Sequence, residues 1–268
     1  MPYAQLDEVT YHYEMAGRGP LLVLLHGFTG SVDNWRPHFP ALATRYRVLA
    51  VDLLGHGRTS APATPARYAM DAAAADLATL LARLAPEPVH LLGYSMGGRL
   101  ALYVALAYPA QVKSLYLESA SPGLEDEEAR QQRQRQDEAL ADRIEREGVP
   151  AFVDFWEALP LFASQQRLPN DVRDRLRRQR LQNRAHGLAN SLRGMGTGVQ
   201  PSLWPRLGEL RMPVHLLVGA LDTKFVAINR RMAQALPQAT LTVVPDAGHT
   251  VHLEQPRRFQ EWLFSTSS

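Results

Sequence analysis

Cysteine is absent from this 268-residue sequence. Disulfides, thiolate metal sites and cysteine nucleophiles are therefore all excluded. No apolar run approaches the roughly 20 residues that a membrane-spanning helix needs. Residues 1–17 also lack the basic region and the apolar region of a secretory signal peptide. We therefore expect a cytoplasmic protein that does not insert into membranes.

Lysine is nearly absent, since Lys113 and Lys224 are the only two among 29 basic residues. The formal net charge is only +2, but the isoelectric point is about 9.0. Guanidinium groups keep their charge when partly buried and bind carboxylates in a fork, so the excess of arginine suits anionic ligands. A biased genome or a demand for heat stability would explain the same excess. The arginines form no basic run interleaved with aromatic residues, which argues against nucleic-acid binding.

Short apolar runs of strand length alternate with segments of helical character along most of the chain. A run without polar alternation is typical of a strand buried on both faces, as in a parallel sheet covered by helices. The alternation predicts a doubly wound α/β fold, in one domain with an insertion. The predicted strands are 21–25, 46–52, 89–92, 112–118, 214–218 and 241–244, after an edge strand or hairpin at 6–14. The predicted helices are 35–42, 71–84, 96–108 and 255–264.

The alternation stops between residues 124 and 204, where no strand-like run occurs. We predict that this stretch is a helical cap inserted into a core formed by residues 1–123 and 205–268. Aromatic side chains give the cap an apolar underside that could close over a pocket. These aromatic residues are Phe152, Phe155, Trp156 and Phe162. The helical segments of the cap are predicted at 125–147, 151–162 and 171–195.

Ser95 lies at the junction of a predicted strand and a predicted helix, between Gly93 and Gly97. Glycine two positions before and two positions after the serine allows the chain to reverse sharply and to hold the serine in a strained, exposed conformation. The start of the following helix would direct N–H groups toward negative charge beside the serine. An ordinary glycine-rich turn between a strand and a helix would show the same pattern. Residues elsewhere in the sequence therefore have to distinguish a nucleophile turn from a plain one.

An acidic residue and a histidine follow later strands in the order expected for a serine triad. Asp222 comes after one late strand, and His249 lies in the loop after the next one. In this hypothesis His249 takes the proton of Ser95, while Asp222 fixes the tautomer of the imidazole and stabilises its charged form. Asp246 and Glu254 are competing acids, but both lie too near His249 along the chain to occupy the loop after the preceding strand.

Two backbone N–H groups are candidates for an oxyanion hole. One belongs to Met96, directly after the serine, and the other to Phe28, in the glycine-rich turn that follows strand 21–25. A plain turn between a strand and a helix is the alternative for Phe28. His56 has glycine on both sides, which indicates a tight loop and a structural role rather than a catalytic one.

Arg99 follows Ser95 by four positions, so both side chains lie on one face of the predicted helix. This spacing places a positive charge at or beside the floor of the pocket. An enzyme that acts on neutral esters gains nothing from such a charge, whereas an enzyme with an anionic substrate does. Pairing with a structural carboxylate is the alternative role for Arg99.

These motifs together resemble the α/β-hydrolase superfamily over essentially the whole chain. They are LHG at 25–27, DLLGHG at 52–57, GYSMGG at 93–98, GALD at 219–222 and GH at 248–249. Within the superfamily, the chain resembles the 2-succinyl-6-hydroxy-2,4-cyclohexadiene-1-carboxylate synthases of menaquinone biosynthesis. That resemblance is carried by GYSMGGR at 93–99, ESASPGL at 118–124, FWE at 155–157, NSLRGMGTG at 190–198 and DTKF at 222–225.

The resemblance implies an α/β-hydrolase fold and a lyase that eliminates pyruvate from an enolpyruvyl cyclohexene with several carboxylates. It implies that Ser95 removes a carbon-bound proton and that no acyl-enzyme forms. It further implies carboxylate binding by two arginines and a pocket shaped by two aromatic residues. These residues are Arg99, Arg193, Tyr94 and Trp156. Additional anion contacts could come from Arg130 or Arg133 and from Lys224, although Lys224 could equally be a surface cation.

Two other functions stay open. The same triad could serve a hydrolase of esters or carbon–carbon bonds, and the fold could have become a ligand receptor without turnover. No metal or cofactor is predicted, because the histidines form no cluster with the spacing of metal ligands. We expect a monomer that takes a small substrate with several carboxylates.

Overall fold

The computed structural model describes residues 3–266, whose centre is one eight-stranded sheet. Its strands are β1 (Tyr3–Leu6), β2 (Val9–Ala16), β3 (Leu21–Leu25), β4 (Arg47–Val51), β5 (Val89–Tyr94), β6 (Val112–Glu118), β7 (Val214–Gly219) and β8 (Ala239–Val244). They are ordered β1-β2-β4-β3-β5-β6-β7-β8. β2 is antiparallel to β1 and β4, and the remaining pairs are parallel. The predicted α/β fold is confirmed.

Helices cover both faces of the sheet. The helices of the described chain are α1 (Phe39–Leu42), α2 (Met70–Leu84), α3 (Met96–Ala107), α4 (Glu127–Glu157), α5 (Asn170–Leu181), α6 (Ala185–Met195), α7 (Thr223–Ala235), α8 (Val251–Glu254) and α9 (Pro256–Ser265), of which α4, α5 and α6 belong to the segment between β6 and β7. Side chains of α2, α3 and α7 belong to the hydrophobic cluster on one face. Side chains of α1 and α9 belong to the cluster on the other face. The sheet is therefore buried on both sides.

The central strand β3 shows why these strands are continuously apolar. All five of its residues are buried. Leu22 and Leu24 pack into the cluster with α9, while Leu21, Val23 and Leu25 pack into the cluster with α2 and α3. Because successive side chains point to opposite faces, a strand covered on both sides needs an apolar residue at every position.

The register of the sheet brings several turns to one edge. Leu25 at the end of β3 pairs with Gly93 near the end of β5. Tyr94 pairs with Glu118 at the end of β6, and Gly219 at the end of β7 pairs with Val244. The carboxyl ends of parallel strands lie at the same edge, where ligands bind in open α/β sheets. The predicted serine, acid and histidine turns therefore meet there.

The segment between β6 and β7 contains helices and turns and no strand. Its first helix, α4, continues to Glu157 across a kink at Gly148, where φ is +80°. The predicted helix 151–162 is thus the second part of α4, followed by a 3-10 turn over Pro160–Arg167. Apolar side chains of α4 and α6 form a separate hydrophobic cluster with Phe28 at its border. The helical insertion expected from the sequence is present.

Some predicted elements differ from the structure. The predicted helix 35–42 consists of a 3-10 turn, Arg36–His38, followed by the single-turn helix α1. Pro37 and Pro40 lack the N–H groups that a longer helix would need there. The predicted helix 171–195 is divided into α5 and α6 by residues 182–184. The final helix starts at Pro256, a residue favoured at the first helical position.

Candidate active site

Ser95 occupies a strained turn between β5 and α3. Its φ of +51° and ψ of −109° are unusual for a residue with a side chain, and its side chain is partly exposed. A Cβ atom at Gly93 would lie 2.3 Å from the carbonyl oxygen of Gly97. A Cβ atom at Gly97 would lie 2.5 Å from the carbonyl oxygen of His26. Only glycine fits at these two positions, so the turn is as sharp as the sequence predicts.

The side chains of His249 and Asp222 lie next to Ser95 in the arrangement of a triad. His249 Nε2 is 3.0 Å from Ser95 Oγ, and His249 Nδ1 is 2.6 Å from Asp222 Oδ2. His249 and Asp222 are buried, with relative exposures of 2% and 7%. Asp222 Oδ1 also accepts a hydrogen bond of 3.2 Å from the N–H of Phe225, which fixes the carboxylate at the start of α7. This geometry allows proton transfer from the serine to the imidazole.

Neither competing acid contacts the imidazole of His249. Asp246 is exposed in the turn after β8. Glu254 lies in α8, and its carboxylate accepts hydrogen bonds from the N–H groups of Gly248 and Thr250 instead. Asp222 is therefore the carboxylate that faces His249.

The two predicted oxyanion-hole residues border the same cavity as Ser95. Met96 is the first residue of α3. Phe28 lies in the turn after β3, beside Gly27, where a Cβ atom would come within 3.5 Å of the Cβ atom of Ser95. The turn and the serine are therefore close enough for one oxygen atom to lie near both backbones.

A cavity of about 590 Å³ opens above Ser95, between the sheet edge and the helical segment. One wall is apolar and aromatic, and several hydroxyl groups and cations interrupt it. The apolar residues include Phe28, Leu140, Trp156, Leu161, Phe162, Leu192, Trp204, Phe225 and Ile228. The cationic residues are Arg99, Arg133, Lys224 and Arg231. The cavity therefore suits a small molecule with both apolar and negatively charged parts.

Arg99 is the most deeply buried of the cations in the cavity, with a relative exposure of 9%. Its Nη1 donates hydrogen bonds to the carbonyl oxygen of Met195 at 2.8 Å and to Gln200 Oε1 at 2.6 Å. Burial lowers the pKa of Arg99 to about 10, so the group stays protonated at neutral pH. Within residues 3–266, no carboxylate forms an ion pair with it. Asp137, which pairs with Arg133, acts on Arg99 from beyond ion-pair distance, so a ligand carboxylate could still bind Arg99 directly.

The other cations differ in how far they are already neutralised. Arg133 pairs with Asp137 at 2.8 Å, and Arg231 pairs with Glu125. Lys224 is exposed, and we find no ion pair for it in the described part of the chain. Arg130, the alternative to Arg133 in the sequence analysis, pairs with Glu127 and is not among the residues that line the cavity.

Tyr94 and Trp156 border the cavity as expected. The Tyr94 ring lies 5.5 Å from the His249 ring, and its hydroxyl is 2.8 Å from Thr250 Oγ1. Burial raises the pKa of Tyr94, so its hydroxyl stays neutral. The Trp156 ring packs at 5.3 Å from Phe28 and thereby joins the cap to the turn after β3.

Arg193 does not border the cavity. Its guanidinium pairs with Glu138 at 2.7 Å, Asp142 at 2.6 Å and Glu145 at 3.0 Å, all on α4. The structure thus gives this arginine a role in holding α6 to α4 and does not support the expected contact with a substrate carboxylate.

His56 has the structural setting that the sequence predicts for it. The side chain is buried, and its Nδ1 is 3.0 Å from the carbonyl oxygen of Leu54 within the same tight loop. Its ring lies 5.2 Å from the ring of His26. These contacts hold the loop after β4 against the turn after β3.

Two features that would change the interpretation of the site do not occur in residues 3–266. No group of three or more histidine, aspartate or glutamate side chains is arranged to hold a metal ion. No helix in that range is both long and apolar enough to cross a bilayer.

Comparisons with known proteins agree with the fold. The α/β hydrolase fold family matches residues 20–256. A Bacillus subtilis protein provisionally named 2-succinyl-6-hydroxy-2,4-cyclohexadiene-1-carboxylate synthase is 49% identical over 251 residues, or 92% of this chain and 91% of that protein. The synthase of that name from Serratia proteamaculans is 34% identical over 247 residues, or 90% of each chain.

Solved structures show the same relationship. MenH from S. aureus superposes with a TM-score of 0.91 at 35% identity, covering 95% of this chain and 96% of that one. An enol-lactonase from Burkholderia xenovorans, at 24% identity and a TM-score of 0.85, shares the fold over 98% of each chain. The chain therefore belongs to the α/β-hydrolase fold family and, within it, to the family of 2-succinyl-6-hydroxy-2,4-cyclohexadiene-1-carboxylate synthases.

Proposed function

We propose that the protein is a lyase of menaquinone biosynthesis. It converts 2-succinyl-5-enolpyruvyl-6-hydroxy-3-cyclohexene-1-carboxylate into 2-succinyl-6-hydroxy-2,4-cyclohexadiene-1-carboxylate and pyruvate. Membership of the synthase family supports the reaction. The observation that carries the proposal for this chain is the buried, unpaired guanidinium of Arg99 in the same cavity as Ser95.

The triad would act as a base toward carbon. His249 accepts the hydroxyl proton of Ser95, and the serine oxygen removes a proton from the ring of the substrate. The electron pair of that C–H bond forms a new double bond, the existing ring double bond shifts, and the C–O bond to the enolpyruvyl group breaks. The enolpyruvate leaves and takes up a proton to become pyruvate. The N–H groups of Phe28 and Met96 would stabilise negative charge that is delocalised through the substrate.

The cations would orient the substrate by its carboxylates. Arg99 is fixed by two hydrogen bonds from Nη1, and its remaining donors would bind a carboxylate in the cavity that it lines. Arg133 and Lys224 border other parts of the same cavity and are candidates for further carboxylates. Tyr94 and Trp156 would supply the apolar walls that hold the ring in place.

The first experiment supplies the purified protein with the enolpyruvyl substrate and follows pyruvate release together with absorbance of the conjugated diene. A p-nitrophenyl ester is tested in parallel. We expect one pyruvate per diene formed, negligible ester cleavage, and loss of turnover in Ser95→Ala. Near-normal pyruvate release by Ser95→Ala would overturn the proposed mechanism.

Other outcomes would assign another function. Ester or carbon–carbon bond cleavage without pyruvate release would make the protein a serine hydrolase. Tight binding of the substrate without any turnover would make it a receptor. The cytoplasmic location and the monomeric state stay predictions, which cell fractionation and size-exclusion chromatography with light scattering would test.

A further inference from the structure

Two carboxylates bind the backbone around His249. One accepts hydrogen bonds from residues 248 and 250, and the other accepts one from residue 252. Glu254 Oε2 accepts a hydrogen bond of 2.7 Å from the N–H of Gly248, and Oε1 accepts one of 3.2 Å from the N–H of Thr250. The two residues that flank His249 are therefore bound to one carboxylate. Hydrogen bonds from backbone N–H groups to a charged acceptor are stronger than bonds between neutral groups.

A second carboxylate holds the start of α8, three residues after His249. Glu118 is fully buried at the end of β6, and its Oε1 accepts a hydrogen bond of 2.9 Å from the N–H of His252. Its carboxylate also lies 2.9 to 3.0 Å from His252 Nδ1. The His252 ring is packed at 4.5 Å from Trp35 and 4.9 Å from Tyr94, so the start of α8, directly after the loop, has little freedom to shift.

Glu118 also contacts the nucleophile turn. Its backbone carbonyl oxygen accepts a hydrogen bond of 2.9 Å from the N–H of Ser95. One residue thus binds the backbone of the serine through its main chain and the histidine loop through its side chain. The distance between Ser95 and His249 is therefore set through Glu118 as well as through the sheet.

We propose that Glu254 and Glu118 are positioning residues that fix the imidazole of His249 between Ser95 and Asp222. Neither carboxylate touches that imidazole, so the effect passes through the backbone of residues 248–252. The inference rests on the proposed role of His249 as the base of the triad. A displacement of a reacting group by about 1 Å can cost on the order of 100-fold in rate, which gives the contacts a measurable effect.

The two carboxylates differ in how they should respond to an amide. Glu254 uses both oxygens as acceptors for N–H groups, so glutamine must turn its own NH₂ group toward one of those donors. Glu118 uses one oxygen for the N–H of His252, and its second oxygen faces only the imidazole. A glutamine there keeps both contacts if its NH₂ group donates to Nδ1 of the His252 imidazole. The proposal therefore predicts a larger loss of kcat in Glu254→Gln than in Glu118→Gln.

The test compares Glu254→Gln, Glu254→Ala and Glu118→Gln with the control Glu261→Gln, an exposed residue on α9. For each variant, kcat and KM of pyruvate release, the rate of Ser95 labelling by a fluorophosphonate, and Tm are measured. We expect kcat of both Glu254 variants to fall about 10- to 100-fold, with labelling slowed in parallel and KM changed less than about twofold. The kcat of Glu118→Gln should fall about threefold, and the control should match the wild type.

Several results would overturn the proposal. They are a kcat and a labelling rate within about twofold of wild type in Glu254→Ala, a loss expressed in KM alone, or an equal loss in Glu118→Gln and Glu254→Gln. If Tm shows that Glu254→Ala is unfolded, the kcat and the labelling rate of Glu254→Gln test the proposal in its place. Labelling does not depend on the lyase reaction, so it decides the positioning role even if Ser95→Ala shows that the proposed elimination is wrong.

Discussion

Arg99 lines the cavity and forms no direct ion pair within the described residues. Its neighbours within hydrogen-bond distance are a carbonyl oxygen and an amide oxygen, both neutral. Burying a cation without a direct ion pair costs free energy, because the lost hydration is only partly replaced. That cost is recovered when a ligand brings a carboxylate to the same place. The position of Arg99, one helical turn after Ser95, would align that carboxylate with the reacting centre.

Replacing Arg99 with methionine should weaken substrate binding. Arg99→Met keeps an unbranched side chain and removes the charge. We expect KM for the enolpyruvyl substrate to rise about 10- to 100-fold, because that factor corresponds to the loss of one hydrogen bond to a charged group. Steady-state kinetics of pyruvate release would measure the change. Arg135→Met, on the exposed side of α4, is the matched control and should leave KM unaltered. An unaltered KM in Arg99→Met would remove Arg99 from the substrate site.

The juxtaposition of Ser95, Asp222 and His249 could be predicted from the sequence because their order and their turns are set locally. Ser95 needs glycine on both sides, and Asp222 and His249 each follow a strand whose end lies at the same sheet edge. The partners of long side chains could not be found in this way. The contacts of Glu254 and Glu118 with the histidine loop depend on where α8 and β6 lie in the folded chain. Whether a given arginine meets a substrate or a neighbouring helix is decided by tertiary packing.

Arg193 shows that the packing of two helices decides what an arginine binds. The motif around it matches the synthase family, but its guanidinium binds three carboxylates spaced along α4. Partial burial lowers the pKa of Arg193, but the hydrogen bonds to these carboxylates outweigh it and raise the pKa above its ordinary value. The same contacts bind α6 to α4. The arrangement is visible only once the two helices are packed against each other.

Arg193→Gln should therefore affect stability rather than substrate binding. We expect the free energy of unfolding to fall by about 0.5 to 1 kcal/mol, since the carboxylates are partly exposed and screened by solvent. KM should stay within about twofold of wild type. Denaturant unfolding and steady-state kinetics would measure both. Arg146→Gln, which removes a single exposed ion pair within α4, should change neither. A tenfold rise in KM at unchanged stability would return Arg193 to the substrate site.

The kink in α4 depends on one glycine. Gly148 has φ of +80° and ψ of 168°, a region essentially restricted to glycine. A Cβ atom there would meet only Pro150 Cδ, at 3.7 Å, so space is available and the backbone alone opposes a side chain. The sequence predicts helical segments on both sides of this residue, and the non-helical backbone at Gly148 divides α4 into two such parts.

Gly148→Ala should destabilise the protein by about 1 to 3 kcal/mol through backbone strain. Gly148→Asn should cost a similar amount, because this region is not the left-handed helical region that asparagine tolerates. Gly208→Ala is the control, since a Cβ atom at Gly208 would meet nothing within 4 Å and its φ is ordinary. Urea unfolding of the three variants would measure the differences. Equal stability of Gly148→Ala and Gly208→Ala would show that residues 147–149 adopt another conformation.

For the molecule as a whole, the sequence predicted the sheet well because each buried strand needs a continuous apolar run and each turn is short. The sequence makes no prediction for the charge state of the buried histidines. His26, His38 and His56 are all buried, and burial lowers their pKa values to about 4, 3 and 3. His26 also accepts a hydrogen bond of 2.9 Å from the N–H of Leu53 on Nε2, which a protonated ring could not do. All three histidines have to be neutral in the folded protein.

The neutral histidines predict a protein that loses stability in acid. The unfolded chain binds protons near pH 6.5, whereas the folded protein does so only at about pH 3 to 4, so stability is complete above pH 6.5 and falls as the pH drops between these values. Each histidine contributes a slope of up to about 1.4 kcal/mol per pH unit. Urea unfolding between pH 8 and pH 5 would measure the slope. His38→Gln should flatten it, because glutamine carries no proton to exchange, whereas His186→Gln, at an exposed position, should leave it unaltered. Equal slopes in the wild type and His38→Gln would mean that His38 does not contribute to the acid sensitivity.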